Sequence, residues 1–330
     1  MTRRRALLIV LLLGAATCAL AACEKQPTPP VPTPGARIDS PRIVALSPAL
    51  GVILRDLGLE QRIVGRHAWD LCLPESLPIC GDQAGIDYEA LLRARPTHVV
   101  IQWGARERPA RLTELAASHH WTIVPLDPLS LDQIAAAART LEREFDAWID
   151  AGHKGEHGAA ARLERALGSP DPALARAGRV LLLTSADPAT ALGPGSFHAD
   201  ALSRLGALPA LREGGAYQRL EAEDVLRLAP DGIVLIQPRG ARTTPAKPRN
   251  RTADFDAPDL RMRLGKLAEL NIPAVRSGCV ALIDDPLSLT PSTAMISVAE
   301  RLRAVLLAWG ARDGNPGGAE APGTEGMGIK

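Results

Sequence analysis

The chain has 330 residues, and its 38 Lys plus Arg residues nearly balance its 37 Asp plus Glu residues, giving a formal net charge of +1. A balanced chain lacks the basic surface typical of nucleic-acid binding, so we expect no nucleic-acid partner. Aromatic residues make up only 3% of the chain, so a tryptophan near a predicted strand end is informative.

The N-terminus has the pattern of an export signal. Three arginines at 3–5 precede an apolar run over 6–13, which is too short to span a membrane permanently. The residues Leu, Ala, Ala and Cys at 20–23 resemble the lipobox of bacterial lipoproteins. This resemblance implies that residues 1–22 are a signal peptide and that acylated Cys23 anchors the exported protein to a membrane. The alternative is a plain secretory signal with a chance cysteine.

Two further segments have the composition of unfolded chain. Residues 23–40 contain five prolines and few apolar residues, which favours an extended polyproline tether. Residues 313–330 are rich in glycine and show no apolar periodicity, so we predict a disordered tail. The folded part of the chain is therefore expected between about 41 and 312.

Short, continuous apolar runs recur through the folded part and predict strands that are covered on both faces. These runs are residues 43–46, 99–101, 123–126, 180–183, 233–236 and 280–283. Helical periodicity lies between them, as in the apolar positions 50, 53, 54 and 57. Alternating strands and helices predict an α/β fold.

The segment from about 130 to 168 favours helix and contains no strand-like run. We therefore predict an N-terminal α/β lobe at 41–152, a connecting helix at 153–177 and a C-terminal α/β lobe at 178–312. Pro170 and Pro172 leave open whether the connecting helix is continuous, because proline cannot continue a helix.

The sequence contains one internal repeat. Residues 88–100 and 222–234 share a Glu, an apolar helical turn, an Arg, a Pro and then an apolar strand. The two glutamates, Glu89 and Glu223, are 134 positions apart (223 − 89 = 134). This offset is too long for a stacked solenoid but suits two similar lobes. Two lobes imply a cleft between them in which a ligand can bind.

Several of these segments resemble one known family. The residues at 42–49, 57–65 and 193–197, together with the two repeats, are similar to the substrate-binding proteins of importers for iron-siderophores, haem and cobalamin. The resemblance implies an α/β fold of two parallel-sheet lobes joined by a single long backbone helix, as in class III periplasmic binding proteins. It also implies a monomeric, non-enzymatic protein on the periplasmic side of the envelope, which delivers a metal chelate to an ABC importer permease and its ATPase.

The same resemblance implies a role for the two repeated glutamates. In that family one Glu on each lobe docks onto arginines of the permease, and Glu89 and Glu223 occupy the matching positions. Two carboxylates far apart on one face orient a partner as well as attract it. The alternative is that each Glu only stabilises the first turn of its helix through the helix dipole.

We expect ligand contacts at the carboxyl ends of strands, where open α/β sheets bind their ligands. The candidates are Ser47, Pro48, His67, Trp69, Gln83, Ala84, Trp103, Ser196, Phe197, Gln237 and Arg239. The indoles of Trp69 and Trp103 would cover the face of a corrin or porphyrin ring, or they would only cap the core. His67 is either an axial ligand of the chelated metal or a hydrogen-bonding loop residue. The chelate is cargo, so we expect no resident cofactor or metal.

Export to an oxidising compartment makes disulfides relevant. Cys72 and Cys80 are eight positions apart around two prolines, and they are the candidates for a bridge. Sequence alone does not define the geometry that a disulfide requires. Cys279 falls in an apolar strand pattern, so we expect a buried thiol there.

Three other functions fit parts of the sequence. His153, Glu156 and His157 have the HxxEH spacing of some zinc peptidases, but neighbouring glycines weaken the helix that would orient them. A receptor for free zinc or manganese needs several His and carboxylate ligands, whereas only His67 and His198 are expected at the cleft. A surface interaction module without a small ligand is the third. No phosphate-binding glycine loop is present, which assigns ATP hydrolysis to a partner.

Overall fold

The structure is a computed structural model that describes residues 40–104, 108–239 and 258–312. The predicted signal peptide, Cys23, the predicted tail and all of the predicted tether except Ser40 lie outside the described residues. The described residues form one compact unit. This unit contains two lobes and the helices that join them.

The N-terminal lobe is built on a five-stranded parallel sheet. Its strands are β1 (Ile43–Ala45), β2 (Ile63–His67), β3 (Ile79–Gly81), β4 (His98–Gln102) and β5 (Thr122–Leu126), in the spatial order β3-β2-β1-β4-β5. Its helices are α1 (Pro48–Asp56), α2 (Tyr88–Ala94) and α3 (Ala110–His119). One apolar core lies between α1 and the sheet, and a second, containing residues of α2 and α3, covers the other face. Burial on both faces explains the continuous apolar runs in the sequence.

Two helices join the lobes, and they are α4 (Leu131–Glu144) and α5 (Ala159–Leu167). The first half of α4 packs in the core of the C-terminal lobe through Leu131, and its second half packs in the N-terminal core through Leu141. Helix α5 does the reverse, because Ala160 lies in the N-terminal core and Leu163 in the C-terminal core. The two helices therefore run antiparallel, and each contributes to both lobes.

This connector differs from the single helix predicted over 153–177. That range holds α5 with 3-10 turns before and after it, including Gly155–His157 and Pro172–Ala177. Gly155 and Gly168 have φ angles of 57° and 60°, which interrupt a right-handed helix and which glycine adopts without strain. The longer helix of the connector, α4, lies within the range that the sequence assigned to the N-terminal lobe.

The C-terminal lobe is built on a six-stranded sheet. Its strands are β6 (Arg179–Ala186), β7 (Ala189–Leu192), β8 (Leu208–Pro209), β9 (Tyr217–Leu220), β10 (Gly232–Ile236) and β11 (Val280–Ile283). Its helices are α6 (Phe197–Arg204), α7 (Ala222–Leu228), α8 (Pro258–Leu264), α9 (Pro273–Arg276) and α10 (Met295–Arg312). The spatial order is β11-β10-β6-β7-β9, with β8 pairing β6. Strands β11, β10 and β6 are parallel, as their apolar runs predict, while β7 is antiparallel to β6 and β9.

The internal repeat forms the same local structure in each lobe. Helices α2 and α7 each have seven residues, and each ends at a residue with left-handed backbone, Arg95 with φ 47° and Ala229 with φ 41°. A proline follows, and then β4 or β10 begins. Arg42 donates from Nη2 to the carbonyl of Ala94 at 2.7 Å, and Arg179 donates from Nη2 to the carbonyl of Ala229 at 2.9 Å. The sequence similarity thus reflects a repeated helix, turn and strand.

Candidate ligand-binding site

The predicted contacts of the N-terminal lobe lie at one edge of its sheet. Ser47, Gln83 and Trp103 follow β1, β3 and β4, while His67 is the last residue of β2. Because these strands are parallel, they all end on the same side of the sheet. The sequence therefore brings these four positions to one edge, as predicted.

Ser47 lies between β1 and α1 and is 2% exposed. Its hydroxyl donates to Oε1 of Gln102 at 2.8 Å instead of capping α1. Pro48 occupies the first turn of α1, where its missing amide hydrogen costs nothing. Gln102, the last residue of β4, is a site residue that the sequence reasoning missed, although its position at a strand end would have identified it.

His67 and Trp69 lie at the end of β2 and differ sharply in exposure. Trp69 is 64% exposed and His67 is 9% exposed. Nδ1 of His67 accepts the backbone N–H of Trp69 at 3.1 Å. Burial lowers the pKa of His67, while the backbone and charge of Asp82 and the charge of Asp70 act in the opposite direction. The geometry supports the hydrogen-bonding role for His67, because Nδ1 accepts an amide hydrogen and the proton of the neutral ring therefore lies on Nε2, so neither nitrogen has a lone pair left for a metal.

The remaining predicted contacts at this sheet edge are less buried. Gln83 and Ala84 are exposed in a turn that Asp82 holds, because its Oδ1 accepts the amides of Ala84 at 2.8 Å and of Gly85 at 3.1 Å. Trp103 is partly buried against the core that contains α2 and α3. Of the two tryptophans, Trp69 therefore presents the larger exposed surface.

In the C-terminal lobe, Gln237 and Arg239 follow β10 at the carboxyl edge of the parallel strands. Arg263 donates from Nη1 to Oε1 of Gln237 at 3.2 Å. Asp284 pairs with Arg239 at 3.0 Å and with Arg301 at 3.6 Å. Asp284 directly follows β11, so the strand-end rule would have identified it. Arg263 and Arg301 come from helices α8 and α10 and gave no such signal.

Ser196 and Phe197 lie elsewhere, because they follow the antiparallel strand β7. Because β7 runs antiparallel to β6, its carboxyl end lies toward the amino end of β6, away from Gln237. Ser196 is 3% exposed and caps α6, accepting the amide of Ala199 at 3.1 Å and donating to the carbonyl of Gly193 at 2.8 Å. The structure therefore does not group these two residues with the others of this lobe at one sheet edge.

Ser196 and Phe197 instead line a depression of about 690 Å³. Its other walls are Ser130 at the start of α4, one face of α6 and the segment 207–212. Among the residues that the structure describes, no other predicted contact lines this depression.

Glu89 and Glu223 lie in the first turns of α2 and α7. The Glu89 side chain is 87% exposed and lies 3.6 Å from Arg93, and Glu223 is also exposed. The residues that cap these helices are others: Asp87 caps α2, and Glu221 with Asp224 forms a capping box on α7. Neither Glu therefore caps its helix, while both carboxylates are exposed in the first turn, where the helix dipole also favours a negative charge.

Cys72 and Cys80 are free thiols, contrary to the disulfide considered from the sequence. Cys80 belongs to the core that contains α2 and α3, while Cys72 packs against the core on the α1 side of the sheet. Burial raises the pKa of Cys80 to about 11 and raises that of Cys72 further. The sheet separates the two sulfurs, so a bridge would require rearrangement of the lobe. Cys279 is a buried thiol, as predicted.

The HxxEH motif does not form a metal site. His153 and His157 lie in separate 3-10 turns with Lys154 extended between them, so the motif lacks the helical face that a zinc peptidase needs. Across residues 40–104, 108–239 and 258–312, no three His, Cys, Asp or Glu side chains cluster as metal ligands. His198, expected at the cleft, is 0% exposed within the C-terminal lobe. The same described ranges include no helix that is both apolar and long enough to cross a membrane.

No family model and no curated protein matches the chain, but solved structures do. The periplasmic haem-binding protein RhuT from Roseiflexus sp. RS-1 aligns over 82% of this chain and 99% of its own, with 21% identity and a TM-score of 0.56. The periplasmic vitamin B12 binding protein BtuF of Vibrio cholerae aligns over 82% and 98%, with 19% identity and a TM-score of 0.56. The periplasmic haem-binding protein HutB of Vibrio cholerae aligns over 81% and 98%, with 18% identity and a TM-score of 0.57. The chain therefore has the fold of periplasmic binding proteins, which confirms the predicted fold class.

Proposed function

We propose that this protein is the substrate-binding component of an ABC importer, and that it delivers a corrinoid or an iron chelate such as haem or a ferric siderophore to a permease. The observation that carries the proposal is the two-lobed fold, which aligns over 81 to 82% of the chain with proteins named for binding haem or vitamin B12. The protein acts by binding and release and performs no covalent chemistry.

The side chains at the two sheet edges suit a ligand of this class. Trp69 offers an exposed indole on the N-terminal lobe, and an indole covers the face of a large conjugated ring well. On the C-terminal lobe, Arg239 contacts Asp284 through Nε. Within residues 40–104, 108–239 and 258–312 its terminal nitrogens form no hydrogen bond, and a guanidinium suits anionic groups of a ligand. A free zinc or manganese ion has less support, because the described residues lack a cluster of ligands for it.

An absorbance titration tests the ligand class. The purified protein is titrated with haemin, cyanocobalamin and a ferric siderophore, and we expect one of them to give a saturable spectral change. Trp69→Ala should weaken that binding about tenfold or more, since an aromatic contact of this size contributes on the order of 1 to 3 kcal/mol. Tyr217→Ala is the matched control, because Tyr217 is 59% exposed on the edge strand β9. Absence of saturable binding to all three probes would contradict the proposal.

We propose further that Glu89 and Glu223 dock the two lobes onto arginines of the permease. The support is their equivalent position in the repeat and their exposure without a capping role. The double variant Glu89→Ala with Glu223→Ala should lose uptake of the cargo while its affinity for the cargo stays at the wild-type value. Glu114→Ala, which removes an exposed carboxylate from α3, should leave uptake unchanged. Unchanged uptake in the double variant would reject docking.

The predicted lipid anchor completes the proposal. Acylation of Cys23 would hold the protein at a membrane on the periplasmic side, because two or more buried acyl chains bind nearly irreversibly. Replacement of Cys23 by Ala should move the protein from the membrane fraction to the soluble periplasmic fraction. Retention of the variant in the membrane fraction would contradict the anchor.

A further inference from the structure

The loop between β2 and β3, residues 68–78, presents two large apolar side chains to solvent. Trp69 is 64% exposed and Leu71 is 54% exposed. Behind them, Arg66, His67 and Asp70 are only 8 to 9% exposed. These three polar side chains are buried beneath an exposed indole. Burial of polar groups is unfavourable unless they form hydrogen bonds, so their partners show what they stabilise.

Arg66 ties the two ends of the loop together. Its Nη1 donates to the carbonyl of His67 at 3.2 Å, and its Nη2 donates to the carbonyl of Glu75 at 3.3 Å. The planar guanidinium has a fixed fork of donors, so it defines the distance between these two carbonyls. The loop therefore closes around the Arg66 side chain.

Asp70 fixes the middle of the loop and seats it on the lobe. Its Oδ1 accepts the amides of Cys72 at 2.8 Å and of Leu73 at 2.7 Å. Its Oδ2 lies against α1 at Gly51, where a Cβ atom would be only 2.2 Å from that oxygen. Only glycine at position 51 leaves room for the carboxylate, so the loop and helix α1 fit together closely.

His67 acts on Trp69 itself. Its Nδ1 accepts the backbone N–H of Trp69 at 3.1 Å, and the imidazole is buried. This hydrogen bond fixes the backbone of the residue whose indole faces solvent. With Arg66 and Asp70 holding the rest of the loop, the backbone from which the indole projects is fixed before any ligand arrives.

We propose that Arg66, His67 and Asp70 are positioning residues that hold Trp69 as a pre-formed platform for the flat face of the ligand. The ligand part of this proposal rests on the proposed function. A platform that is already ordered avoids the entropy cost of ordering a side chain on binding. Loss of one anchoring hydrogen bond should therefore weaken ligand binding roughly tenfold.

The first experiment needs no ligand. The full chain is labelled with 5-fluorotryptophan, and among the five tryptophans the ¹⁹F resonance of Trp69 is assigned with Trp69→Phe. His67→Ala should broaden this resonance or shift it toward the value of the free amino acid. His67→Asn should restore it, because an asparagine Oδ1 lies close to the position of the histidine Nδ1 and can accept the same amide hydrogen. Glu75→Ala is the matched control, since it removes an exposed side chain but keeps the carbonyl that Arg66 binds.

The second experiment measures affinity for haemin and cyanocobalamin. His67→Ala and Asp70→Ala should bind the accepted probe roughly tenfold more weakly, while His67→Asn and Glu75→Ala should stay within about twofold of wild type. A Trp69 resonance that is unchanged in His67→Ala, or a His67→Asn variant as defective as His67→Ala, would overturn the proposal. If neither probe binds the wild-type chain, the proposed function is contradicted for these ligands, while the fluorine resonances still decide whether the three residues position Trp69.

Discussion

His198 makes a specific prediction about stability in acid. It lies in the first turn of α6 and is 0% exposed. Its Nε2 donates to the carbonyl of Ser288 at 2.7 Å, and its ring centroid lies 4.2 Å from that of Phe197. Burial lowers the pKa of His198 to about 4, although the hydrogen bond to Ser288 acts in the opposite direction. The folded protein therefore holds this imidazole neutral.

The lowered pKa of His198 makes the free energy of unfolding depend on pH. An unfolded chain releases the same proton near pH 6.5, so between pH 6.5 and about 4 the unfolded state binds one more proton than the folded state. The stabilisation is complete above pH 6.5 and is lost as the pH falls, at about 1.4 kcal/mol per pH unit. At pH 5 this loss amounts to about 2 kcal/mol.

Urea unfolding of wild type and His198→Gln at pH 7.5 and pH 5 isolates this residue. Glutamine can still donate to the carbonyl of Ser288 but does not titrate. The wild type should lose about 2 kcal/mol more of its free energy of unfolding than the variant does between the two pH values. The comparison removes the contributions of His67 and His98, whose pKa values burial also lowers. A difference that is the same at both pH values would refute the argument.

Three further predictions concern packing, backbone conformation and thiols. Leu141→Ala removes a fully buried side chain of α4 and should lower the free energy of unfolding by about 2 to 5 kcal/mol. Leu226→Ala, at a position of α7 that is 44% exposed, should lower it far less. Equal losses for the two variants in urea unfolding would contradict the packing described. Gly206→Ala should destabilise the fold by more than about 1 kcal/mol, because Gly206 has φ 92° and an added Cβ would lie 2.8 Å from the backbone of Asp171. Gly215 should accept alanine, because an added Cβ there would have no atom within 4 Å. Thermal unfolding of the two variants compares these effects. Cys72 and Cys80 should both be alkylated after unfolding without reductant, and a peptide mass that shows them joined would contradict the free thiols.

The sequence predicted six strands, β1, β4, β5, β6, β10 and β11, because parallel strands buried on both faces leave continuous apolar runs. It did not identify an apolar run for β3, β7, β8 or β9. The sequence predicted the connector poorly. Helices α4 and α5 each contribute residues to the cores of both lobes, and the apolar periodicity of a helix does not indicate which core it packs against. Gly155, with φ 57°, lies between α4 and α5, and Gly168, with φ 60°, directly follows the last residue of α5. The antiparallel hairpin of β6 and β7 was missed, since β7 has only four residues, one of them Thr190, and so leaves no continuous apolar run like that at 180–183.

For the candidate site, the strand-end rule placed Ser47, Trp69 and Gln237 at sheet edges but could not assign their side chains. The orientation of Ser47 depends on Gln102, which lies 55 positions away in the sequence. The same limit applies to Asp284, whose two arginine partners come from loop and helix. Such pairings arise only when distant segments fold together, so a single sequence gives no pattern for them.

The shared connector should make the two lobes unfold together. Because α4 and α5 each supply apolar residues to both lobes, neither lobe possesses a whole interior without the other's segment of chain. Cutting the polypeptide between the lobes would leave two fragments with gaps in their interiors, so heat should melt both halves in one cooperative transition.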